Sequence, residues 1–382
     1  MPAKKLKVAV IGAGMIANAG HIPAWKDQAD VDVVGVADSS EENAAATARR
    51  HNIPHVYADA AAMIAELQPD IVSVCTPNRY HKEHTIAALK GGAHVLCEKP
   101  LAASLADAVE MFDAAAAAGR TLLVGQSLRF YNPIAAAKEF AASGELGEVY
   151  YAETSVFRRR GVPTWGRFHM KAHSGGGPLL DLGVHALDTV LWLMGNPKVV
   201  AASGMTCTKL ANRDEGLITS LAASGAPIGV FNPRPFDPAE FDVEDLAAGF
   251  LRLESGAAII IRVSWAANVP EGAGGTMVLG TGGGLWLDPV TLGLKLVRNM
   301  GRYPVDITPK VPPPEPAVDF YGHWKLAAHL VRVLRGEEKL LVTREEALNV
   351  IGALEAIYKS AAERREVWLD AGERLVGTGG HS

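Results

Sequence analysis

Two widely separated segments carry side chains that can hold or move a proton. Glu98-Lys99-Pro100 places a lysine between an acid and a proline, and Asp181 and His185 stand four positions apart. An ammonium group stabilises negative charge that develops on an oxygen, and imidazole is the side chain most often used as a general base. These residue types suit the removal of a proton from a hydroxyl group.

Lys99 follows an apolar run, residues 93–97, that predicts a buried strand. In an open parallel sheet ligands bind beyond the carboxyl ends of the strands, so we expect Lys99 at the ligand-binding edge. The same argument applies to Thr76, Pro77 and Asn78, which follow another apolar run. A lysine at a strand end can also be only a solvated charge, and the sequence alone leaves both interpretations open.

Residues 178–195 are predicted to form one helix, with proline near its start and glycine at its end. Apolar residues cover most of its surface, which indicates a buried helix. Asp181, His185, Asp188 and Trp192 form a narrow strip along it, so the carboxylate of Asp181 is expected to orient the imidazole of His185 and stabilise its cation. A core histidine satisfied by a local carboxylate is the alternative. Asp188 is expected to be structural and Trp192 to lie in the core.

A glycine-rich loop directly follows the first predicted strand. Gly12-x-Gly14-x-x-Ala17 matches the pattern in which glycines let the backbone approach a pyrophosphate at a helix N-terminus. Asp38 ends the second strand, where its carboxylate can bind the adenosine ribose and repel a 2′-phosphate, which favours NAD over NADP. Asp38 could instead cap the helix predicted at Glu41–His51.

The composition excludes several other classes of protein. The chain has 382 residues, with 48% hydrophobic residues, 21% charged residues and a net charge of -5, and its longest basic run is Arg158-Arg159-Arg160. A nucleic-acid or acidic-membrane partner is therefore not expected. No run approaches the ~20 apolar residues of a membrane span. Three widely spaced cysteines and the lack of an export signal predict a cytoplasmic protein with reduced thiols, and no metal-binding pattern is found.

The first third of the chain alternates short β-branched runs with alanine-rich helical segments, which predicts βαβ units and a parallel sheet. The predicted strands are Lys7–Ile11, Val31–Ala37, Ile71–Cys75, His94–Cys97 and Thr121–Val124. The predicted helices between them include Glu41–His51, His81–Lys90 and Leu105–Ala118.

After about Gly125 longer alternating runs predict a mostly antiparallel sheet with helices on one face. These runs are Val149–Phe157, Val199–Thr206, Gly249–Trp265, Thr276–Leu279 and Leu285–Leu287. Two helices are predicted near the end, Asp319–Arg335 and one that opens at Thr343 with Glu346 in a capping box. The fold class is α/β, with a Rossmann domain at residues 1–127 and a substrate-binding and oligomerisation domain at residues 128–382.

Together these motifs resemble the glucose–fructose oxidoreductase/inositol dehydrogenase family, also called Gfo/Idh/MocA. The resemblance covers essentially the whole chain. It rests on the glycine loop, on Thr76-Pro77-Asn78 with His81, on Glu98-Lys99-Pro100, and on the run from Gly175 to Asp188. It implies that Lys99 and His185 flank the substrate hydroxyl, that Asp181 contacts both the substrate and His185, and that the second sheet forms a homo-oligomer, a dimer or tetramer. The expected cofactor-binding residues are Gly12, Gly14, Met15, Ile16, Asp38, Ser39, Thr76, Pro77, Asn78, His81, Glu98 and Lys99.

Residues 158–171 precede the helix that carries Asp181 and His185 and are rich in arginine. Arg158 and Trp165 suit a polyhydroxylated ring, through hydrogen bonds and through stacking on its apolar face. The segment could equally be a surface loop with one anchored aromatic residue.

The expected function is NAD-dependent oxidation of a secondary hydroxyl of a sugar, glycoside or cyclitol. One alternative is a redox-neutral family member that retains NAD and cleaves glycosides or exchanges hydrogen between aldoses; cofactor that persists through purification would favour it. The other is a sugar-sensing regulator on the same fold. A regulator can lose the catalytic residues, whereas Lys99, Asp181 and His185 are all present.

Overall fold

The computed structural model describes residues 5–213, 220–270 and 272–369, which form two sheets with helices packed on them. The first sheet has six strands in the order β3-β2-β1-β4-β5-β6, and every pair of neighbours is parallel. The order reverses between β1 and β4, which is where a doubly wound sheet opens a crevice for a ligand. Its strands are β1 (Leu6–Ile11), β2 (Val31–Ala37), β3 (His55–Tyr57), β4 (Ile71–Val74), β5 (His94–Cys97) and β6 (Leu122–Val124).

Five helices connect these strands: α1 (Ile22–Lys26), α2 (Glu41–His51), α3 (Ala60–Leu67), α4 (His81–Lys90) and α5 (Leu105–Ala118). A turn of π-helix, Ala17–His21, leads into α1. The predicted bounds of β2, β5, α2, α4 and α5 are confirmed, and the other three predicted strands differ by one residue at one end. Neither β3 nor α3 was predicted, and the three residues of β3 are too few to show a period.

The second sheet has nine strands in the order β14-β13-β12-β11-β7-β10-β9-β8-β15. All neighbours are antiparallel except β7 and β10, which confirms the predicted mostly antiparallel sheet. Its strands are β7 (Val149–Phe157), β8 (Val199–Cys207), β9 (Leu246–Leu253), β10 (Ala258–Ser264), β11 (Gly274–Gly280), β12 (Gly283–Leu287), β13 (Leu294–Met300), β14 (Tyr303–Ile307) and β15 (Val367–Trp368).

One predicted run in this sheet is wrong. Residues 249–265 were predicted as a single strand, but the chain reverses at Glu254–Gly256 to form the antiparallel pair β9 and β10. Gly256 adopts a φ of 87°, which a glycine accommodates without strain. The strands β13 and β14 were also missed.

The remaining helices are α6 (Asn132–Ala142), α7 (Lys171–Ser174), α8 (Val184–Leu193), α9 (Tyr321–Leu334) and α10 (Arg344–Glu363). Thr343 and Glu346 form the predicted capping box at the start of α10. Apolar residues of α8 and α10 pack with the second sheet in one core. Leu326 and Leu330 of α9 and Leu348 of α10 belong instead to the core around the first sheet. Helix α10 therefore contributes to the cores of both sheets.

No helix among the described residues is long and apolar enough to cross a membrane.

Candidate active site

The glycine loop after β1 is pressed against the end of β4. Gly12 has a φ of 96°, and a Cβ atom there would stand 2.7 Å from the carbonyl oxygen of Cys75, so only glycine fits. A Cβ atom at Gly14 would meet no heavy atom within 4 Å. The loop thus leaves an open cradle beside Gly14, in the crevice where the strand order reverses. Met15 and Ile16 follow in the first helical turn.

Asp38 lies beside this cradle and is held by the backbone. Its Oδ2 accepts a hydrogen bond from Ala13 N at 2.7 Å, and its Oδ1 accepts one from Ser40 N at 2.8 Å. The N-cap of α2 is Ser40, whose hydroxyl accepts from Asn43 N, so the alternative of Asp38 as the helix cap is wrong. Ser39 is exposed next to it.

The segment after β4 lies opposite the glycine loop. Thr76 has a buried Oγ1 atom with no hydrogen-bond partner in the described part of the chain. Asn78 donates from Nδ2 to Ser174 O at 2.8 Å, which joins the segment to α7, while Pro77 is exposed. The ring of His81 is buried and bridges Thr76 O and Pro100 O, each at 2.8 Å. His81 thus connects the segment that follows β4 to the segment that follows β5.

Glu98 was predicted to bind the cofactor, but the structure buries it. Its Oε1 accepts hydrogen bonds from His21 Nε2 at 2.8 Å and His323 Nε2 at 3.0 Å, and its Oε2 accepts one from Lys99 N at 3.1 Å. Burial acts to raise the pKa of Glu98, but the hydrogen bonds and charges of the two histidines outweigh it and hold that pKa well below its usual range. The buried carboxylate of Glu98 therefore stabilises the turn of Glu98, Lys99 and Pro100.

Lys99 meets Asp181 across the gap between the two sheets. Its Nζ lies 3.1 Å from Asp181 Oδ1 and 3.2 Å from Asp181 O, and the Lys99–Pro100 peptide bond is cis. Asp181 Oδ2 accepts a second hydrogen bond, from Trp265 Nε1 at 2.9 Å. Burial alone would raise the pKa of Asp181, but the charges of Lys99 and Arg158 and the two hydrogen bonds lower it to about 2. Asp181 is therefore an anion at any working pH.

The expected pairing of Asp181 with His185 is not what the structure contains. Both carboxylate oxygens of Asp181 are engaged by Lys99 and Trp265. The predicted helix also begins with a turn of π-helix, Leu179–Gly183, before α8. A π turn holds more residues than an α turn, so two side chains four positions apart no longer stack as they would on a regular α-helix.

His185 still lies in the same electrostatic environment. Burial lowers its pKa, the charge of Lys99 lowers it further, and the charges of Glu98 and Asp181 act in the other direction, with a net value of about 3. The imidazole is therefore neutral at neutral pH. Its Nδ1 is buried and makes no hydrogen bond to any described residue. An unpaired buried nitrogen is costly unless a ligand completes it.

The second sheet contributes to this site through its parallel pair. Because β7 and β10 run in the same direction, with Phe157 paired to Ser264, the next residues of both strands emerge at one edge. These residues are Arg158, whose charge acts on Asp181, and Trp265, whose indole binds it. The carboxyl ends of strands from both sheets therefore converge on Asp181.

Glu244 holds the start of the helical segment that contains Asp181. Its Oε2 accepts from Gly177 N at 3.0 Å, and its Oε1 accepts from Leu179 N at 3.1 Å and from the Tyr358 hydroxyl at 2.7 Å. A Cβ atom at Gly177 would stand 2.1 Å from Glu244 O, so this close approach requires glycine. The glycine run before Asp181 thus serves packing, and it fixes where Asp181 projects.

Arg158 and Trp165, the predicted substrate residues, both contact the loop that contains Ser224. Arg158 Nη1 donates to Gly161 O at 3.1 Å and to Ser224 O at 2.8 Å. Trp165 Nε1 donates to Ser224 Oγ at 2.9 Å, and its ring packs edge-on against Phe168. Their roles toward a substrate remain predictions, since both side chains also hold this loop in place.

Several residues of the site were missed in the sequence. Trp265 lies at the end of a predicted strand, where an aromatic residue carries no distinctive signal. His21 follows the glycine loop closely, but His323 reaches Glu98 across 225 positions of the chain. Glu244 has no neighbouring pattern at all. Only tertiary structure brings these side chains to the motifs.

Comparison with known proteins agrees with this architecture. Residues 6–126 match the Gfo/Idh/MocA model described as "Oxidoreductase family, NAD-binding Rossmann fold", and residues 134–286 match the model of the GFO/IDH/MocA C-terminal domain. The chain is 36% identical over 271 residues to D-glucoside 3-dehydrogenase of Escherichia coli K12, covering 71% of this chain and 73% of that protein. The chain belongs to the Gfo/Idh/MocA family. It is therefore an oxidoreductase whose first domain binds NAD.

Other Gfo/Idh/MocA proteins resemble it along nearly their whole length. The NADP-dependent scyllo-inositol 2-dehydrogenase of Bacillus subtilis is 25% identical, with 96% of each chain covered. The crystal structure of an aldose-aldose oxidoreductase from Caulobacter crescentus, complexed with glycerol, superposes with a TM-score of 0.75 at 26% identity, covering 96% of this chain and 100% of that one. The relatives act on sugars or cyclitols, which agrees with a small-molecule sugar substrate.

Proposed function

We propose that the protein is an NAD-dependent dehydrogenase that oxidises a secondary hydroxyl of a sugar, glycoside or cyclitol, with a D-glucoside oxidised at carbon 3 as its first candidate. One observation carries the proposal: the ion pair of Lys99 and Asp181 lies beside His185, whose buried Nδ1 makes no hydrogen bond to any described residue. The similarity to a D-glucoside 3-dehydrogenase supports the choice of substrate.

The residues present fit the cofactor. The cradle beside Gly14 is open, and the buried Thr76 Oγ1 has no partner in the described chain, as expected for a loop that receives a polar ligand. Gly12 to Ile16 would hold the pyrophosphate at the helix N-terminus, and Asp38 would hold the ribose. Bound NAD supplies the acceptor for the hydride that leaves the substrate carbon.

The chain's own residues handle the proton and the charge. His185 is neutral and accepts the proton of the hydroxyl group, so the C–OH carbon becomes a carbonyl as its hydride departs. Lys99 donates a hydrogen bond to the same oxygen and stabilises the negative charge that develops there. Asp181 keeps the ammonium group of Lys99 in place and accepts from Trp265, so that both groups are oriented before substrate arrives.

Substrate choice is tested by NAD reduction with glucosides, aldoses, inositols and sugar acids. The fastest substrate is expected among the D-glucosides. Methyl D-glucoside deuterated at carbon 3 should react more slowly than the unlabelled compound, while deuterium at carbon 2 or carbon 4 should have little effect. A primary isotope effect at another carbon would move the reacting position. No NAD reduction with any compound would contradict the dehydrogenase function.

The roles of the side chains are tested by Lys99→Ala and His185→Ala. Each should lower kcat by roughly 10²–10⁴-fold, the range for loss of a positioned acid or base. The Kd for NAD should change much less, because the glycine loop is untouched. Lys90→Ala and His55→Ala are matched controls, since both side chains are exposed and outside the site. A His185→Ala protein that melts earlier but keeps its kcat would support a purely structural histidine.

A second candidate is the redox-neutral enzyme that retains NAD. The structural similarity to an aldose-aldose oxidoreductase favours it, as does a loop from the second half of the chain that lies against the glycine loop. Gly229 of this loop is so close to Met15 that a Cβ atom would stand 2.7 Å from Met15 O. Purified protein that carries stoichiometric NAD and converts aldose pairs without added cofactor would favour this function over the dehydrogenase.

The proposal also includes a cytoplasmic location and a homodimer or homotetramer formed through the second sheet. The cysteines Cys75, Cys97 and Cys207 are free, as is usual in a reducing compartment. Cell fractionation tests the location. Light scattering on the purified protein tests the oligomeric state, and a monomer at all concentrations would contradict it.

A further inference from the structure

A buried cluster of two histidines and one glutamate lies directly behind Lys99. His21 comes from the π turn before α1, Glu98 follows β5, and His323 lies in α9. Both histidines point Nε2 at the same oxygen, Glu98 Oε1, at 2.8 and 3.0 Å. The cluster is joined to Lys99 by one hydrogen bond, from the backbone N–H of Lys99 to Glu98 Oε2 at 3.1 Å.

The tautomer of His21 follows from its other partner. Its Nδ1 lies 3.1 Å from Ser73 Oγ, and that oxygen also accepts from Trp25 Nε1 at 2.7 Å. An indole N–H can only donate, so the hydroxyl proton of Ser73 is free to point at His21 Nδ1. The carboxylate of Glu98 can only accept, so the ring proton of His21 is on Nε2 and is donated to Glu98, while Nδ1 accepts from Ser73. Burial also lowers the pKa of His21, which keeps the ring neutral.

Glu98 must then accept three N–H groups at once. Oε1 accepts from His21 and His323, and Oε2 accepts from the backbone N–H of Lys99. A carboxylate can do this because it is an acceptor at both oxygens, whereas an amide would turn its own N–H₂ toward one of the donors. Hydrogen bonds to an ionised group are also the stronger ones. The two histidines thus fix the carboxylate that fixes the backbone of Lys99.

We propose that His323 is a positioning residue for Lys99 and acts on it through Glu98. The proposal rests on the proposed function of Lys99. His323, in α9, contributes the second N–H donor to the carboxylate of Glu98. This donor orients the carboxylate, which in turn fixes the backbone position from which the Lys99 side chain extends. A displacement of about 1 Å at a catalytic group can cost about 10²-fold in rate. His323 affects the reaction through this geometry and takes no proton itself.

The test compares two substitutions of His323 and combines one of them with Lys99→Ala. His323→Phe keeps the ring size but removes the donor, and should lower kcat by about 10–100-fold with little change in the Kd for NAD. His323→Gln can keep an N–H at the position of Nε2 and should recover most of that loss. In a Lys99→Ala background, His323→Phe should have little further effect, because residues that act as one unit are not additive. Equal losses in both backgrounds would overturn the proposal.

A matched control comes from the same helix. His329 is also buried in α9, but it binds Glu338 and does not contact Glu98. His329→Phe can lower the melting temperature but should leave kcat close to that of the native protein. If it reduces kcat as much as His323→Phe does, the loss reflects α9 as a whole and the proposal fails.

Nuclear magnetic resonance separates this proposal from the proposed function. Long-range ¹H–¹⁵N spectra of histidine-labelled protein should show a proton on Nε2 of both His21 and His323, with the His21 signals shifted in His323→Phe. If Lys99→Ala leaves kcat unchanged, the role of Lys99 is wrong while these spectra still test the cluster. The three side chains also have ligand atoms within 4.8 Å of one another. Stoichiometric metal in the purified protein, with unprotonated Nε2 atoms, would overturn the proposal.

Discussion

Asp181 connects Lys99, the proposed reacting lysine, to the second sheet, because its carboxylate accepts hydrogen bonds from two donors. One oxygen accepts from Lys99 and the other from Trp265. Any movement of β10 that shifts Trp265 is therefore transmitted to the ammonium group of Lys99. His185, which the sequence pattern paired with Asp181, is instead left with an unbonded buried Nδ1 in the described structure. Asp181 thus orients the ammonium group of Lys99, and His185, the proposed base, keeps a nitrogen available for a hydroxyl group.

Asp38 should set the choice between the two nicotinamide cofactors. Its oxygens accept from Ala13 N and Ser40 N, so its negative charge is held at a fixed point beside the cradle. We expect kcat/KM for NAD to exceed that for NADP by at least about tenfold, because a 2′-phosphate would be repelled. Asp38→Asn keeps the shape but removes the charge, and should narrow the ratio mainly by improving NADP. Equal efficiency of the native protein with both cofactors would contradict this role.

His185 should make the protein sensitive to acid. Burial and the charge of Lys99 lower its pKa from 6.5 to about 3 in the folded state. Between these two values the unfolded chain binds a proton that the folded chain does not, so stability falls as the pH falls through this range. The free energy of unfolding should drop by on the order of 3 kcal/mol more in the native protein than in His185→Gln.

Urea unfolding of both proteins from pH 7 to pH 4 measures this difference. His55→Gln serves as the control, because His55 is exposed. Parallel pH dependence of the native protein and His185→Gln would mean that His185 is protonated or solvated in the folded state.

The sequence predicted the motifs of the site but not how they are bonded. The glycine loop and Lys99 follow strands of a parallel sheet, so the order of the elements predicts that both lie at one edge of it. The partner of Asp181 could not be predicted, because it depends on a π turn that periodicity does not reveal. His323 could not be predicted either, since its contact with Glu98 spans 225 positions.

At the scale of elements, five of the six strands of the first sheet were predicted, whereas α3, α6, β3, β13 and β14 were not. Helices α2 and α5 begin at capping serines, Ser40 and Ser104, and the predicted bounds of α2, α4 and α5 agree with the structure. Strands β9 and β10 form one continuous alternating run in the sequence, and only the turn at Gly256 separates them. The parallel pairing of β7 with β10 is a long-range feature that no local pattern encodes.

A loop between β8 and β9 crosses from the second sheet to the first domain. Gly229 contacts Met15 O, and Asn232 Nδ2 donates to Asn43 Oδ1 at 3.2 Å. The guanidinium of Arg50 lies 3.0 Å from the centre of the Phe231 ring. These contacts connect the loop to α2 and to the helical turn after the glycine loop. We expect these contacts to affect how fast a ligand leaves the cradle.

Phe231→Ala should accelerate NAD release, because it removes the contact with Arg50 that helps to keep the loop on α2. A cation–π contact at an exposed site is worth about 0.5–1 kcal/mol, which corresponds to roughly a two- to fivefold faster dissociation. Stopped-flow fluorescence of bound NADH measures the rate. Leu221→Ala is the matched control, since Leu221 is an exposed apolar residue on the same loop. If both variants release NADH at the native rate, the loop does not limit exchange.

At the scale of the whole molecule, Arg129 connects three separate parts of the chain. It follows the first sheet, forms a bidentate ion pair with Asp188 of α8 at 2.8 and 2.7 Å, and reaches Glu346 of α10 at 2.8 Å. Both partners of the bidentate pair are buried. Asp188, which was expected to be structural, thus stabilises the junction between the two halves.

Arg129→Met should destabilise the protein by about 3–5 kcal/mol, because it leaves the buried carboxylate of Asp188 without its cation. Adding Asp188→Leu should restore much of that loss by removing the uncompensated charge. Arg335→Met, which breaks an exposed pair with Asp30, should cost less than about 1 kcal/mol. Urea unfolding gives the three values, and a small loss in Arg129→Met would mean that water reaches Asp188 in solution.

The packing of α9 and α10 on the first core also has a consequence for how the protein is made. The last strand of the first sheet ends at Val124, but Leu326, Leu330 and Leu348 complete the core around that sheet. During synthesis at about 5–20 residues per second, these side chains emerge roughly 200 residues later, so the nascent first domain waits about 10–40 s with part of its apolar surface uncovered. We expect a ribosome-bound chain of this protein to offer this apolar surface to chaperones until α9 and α10 have been translated.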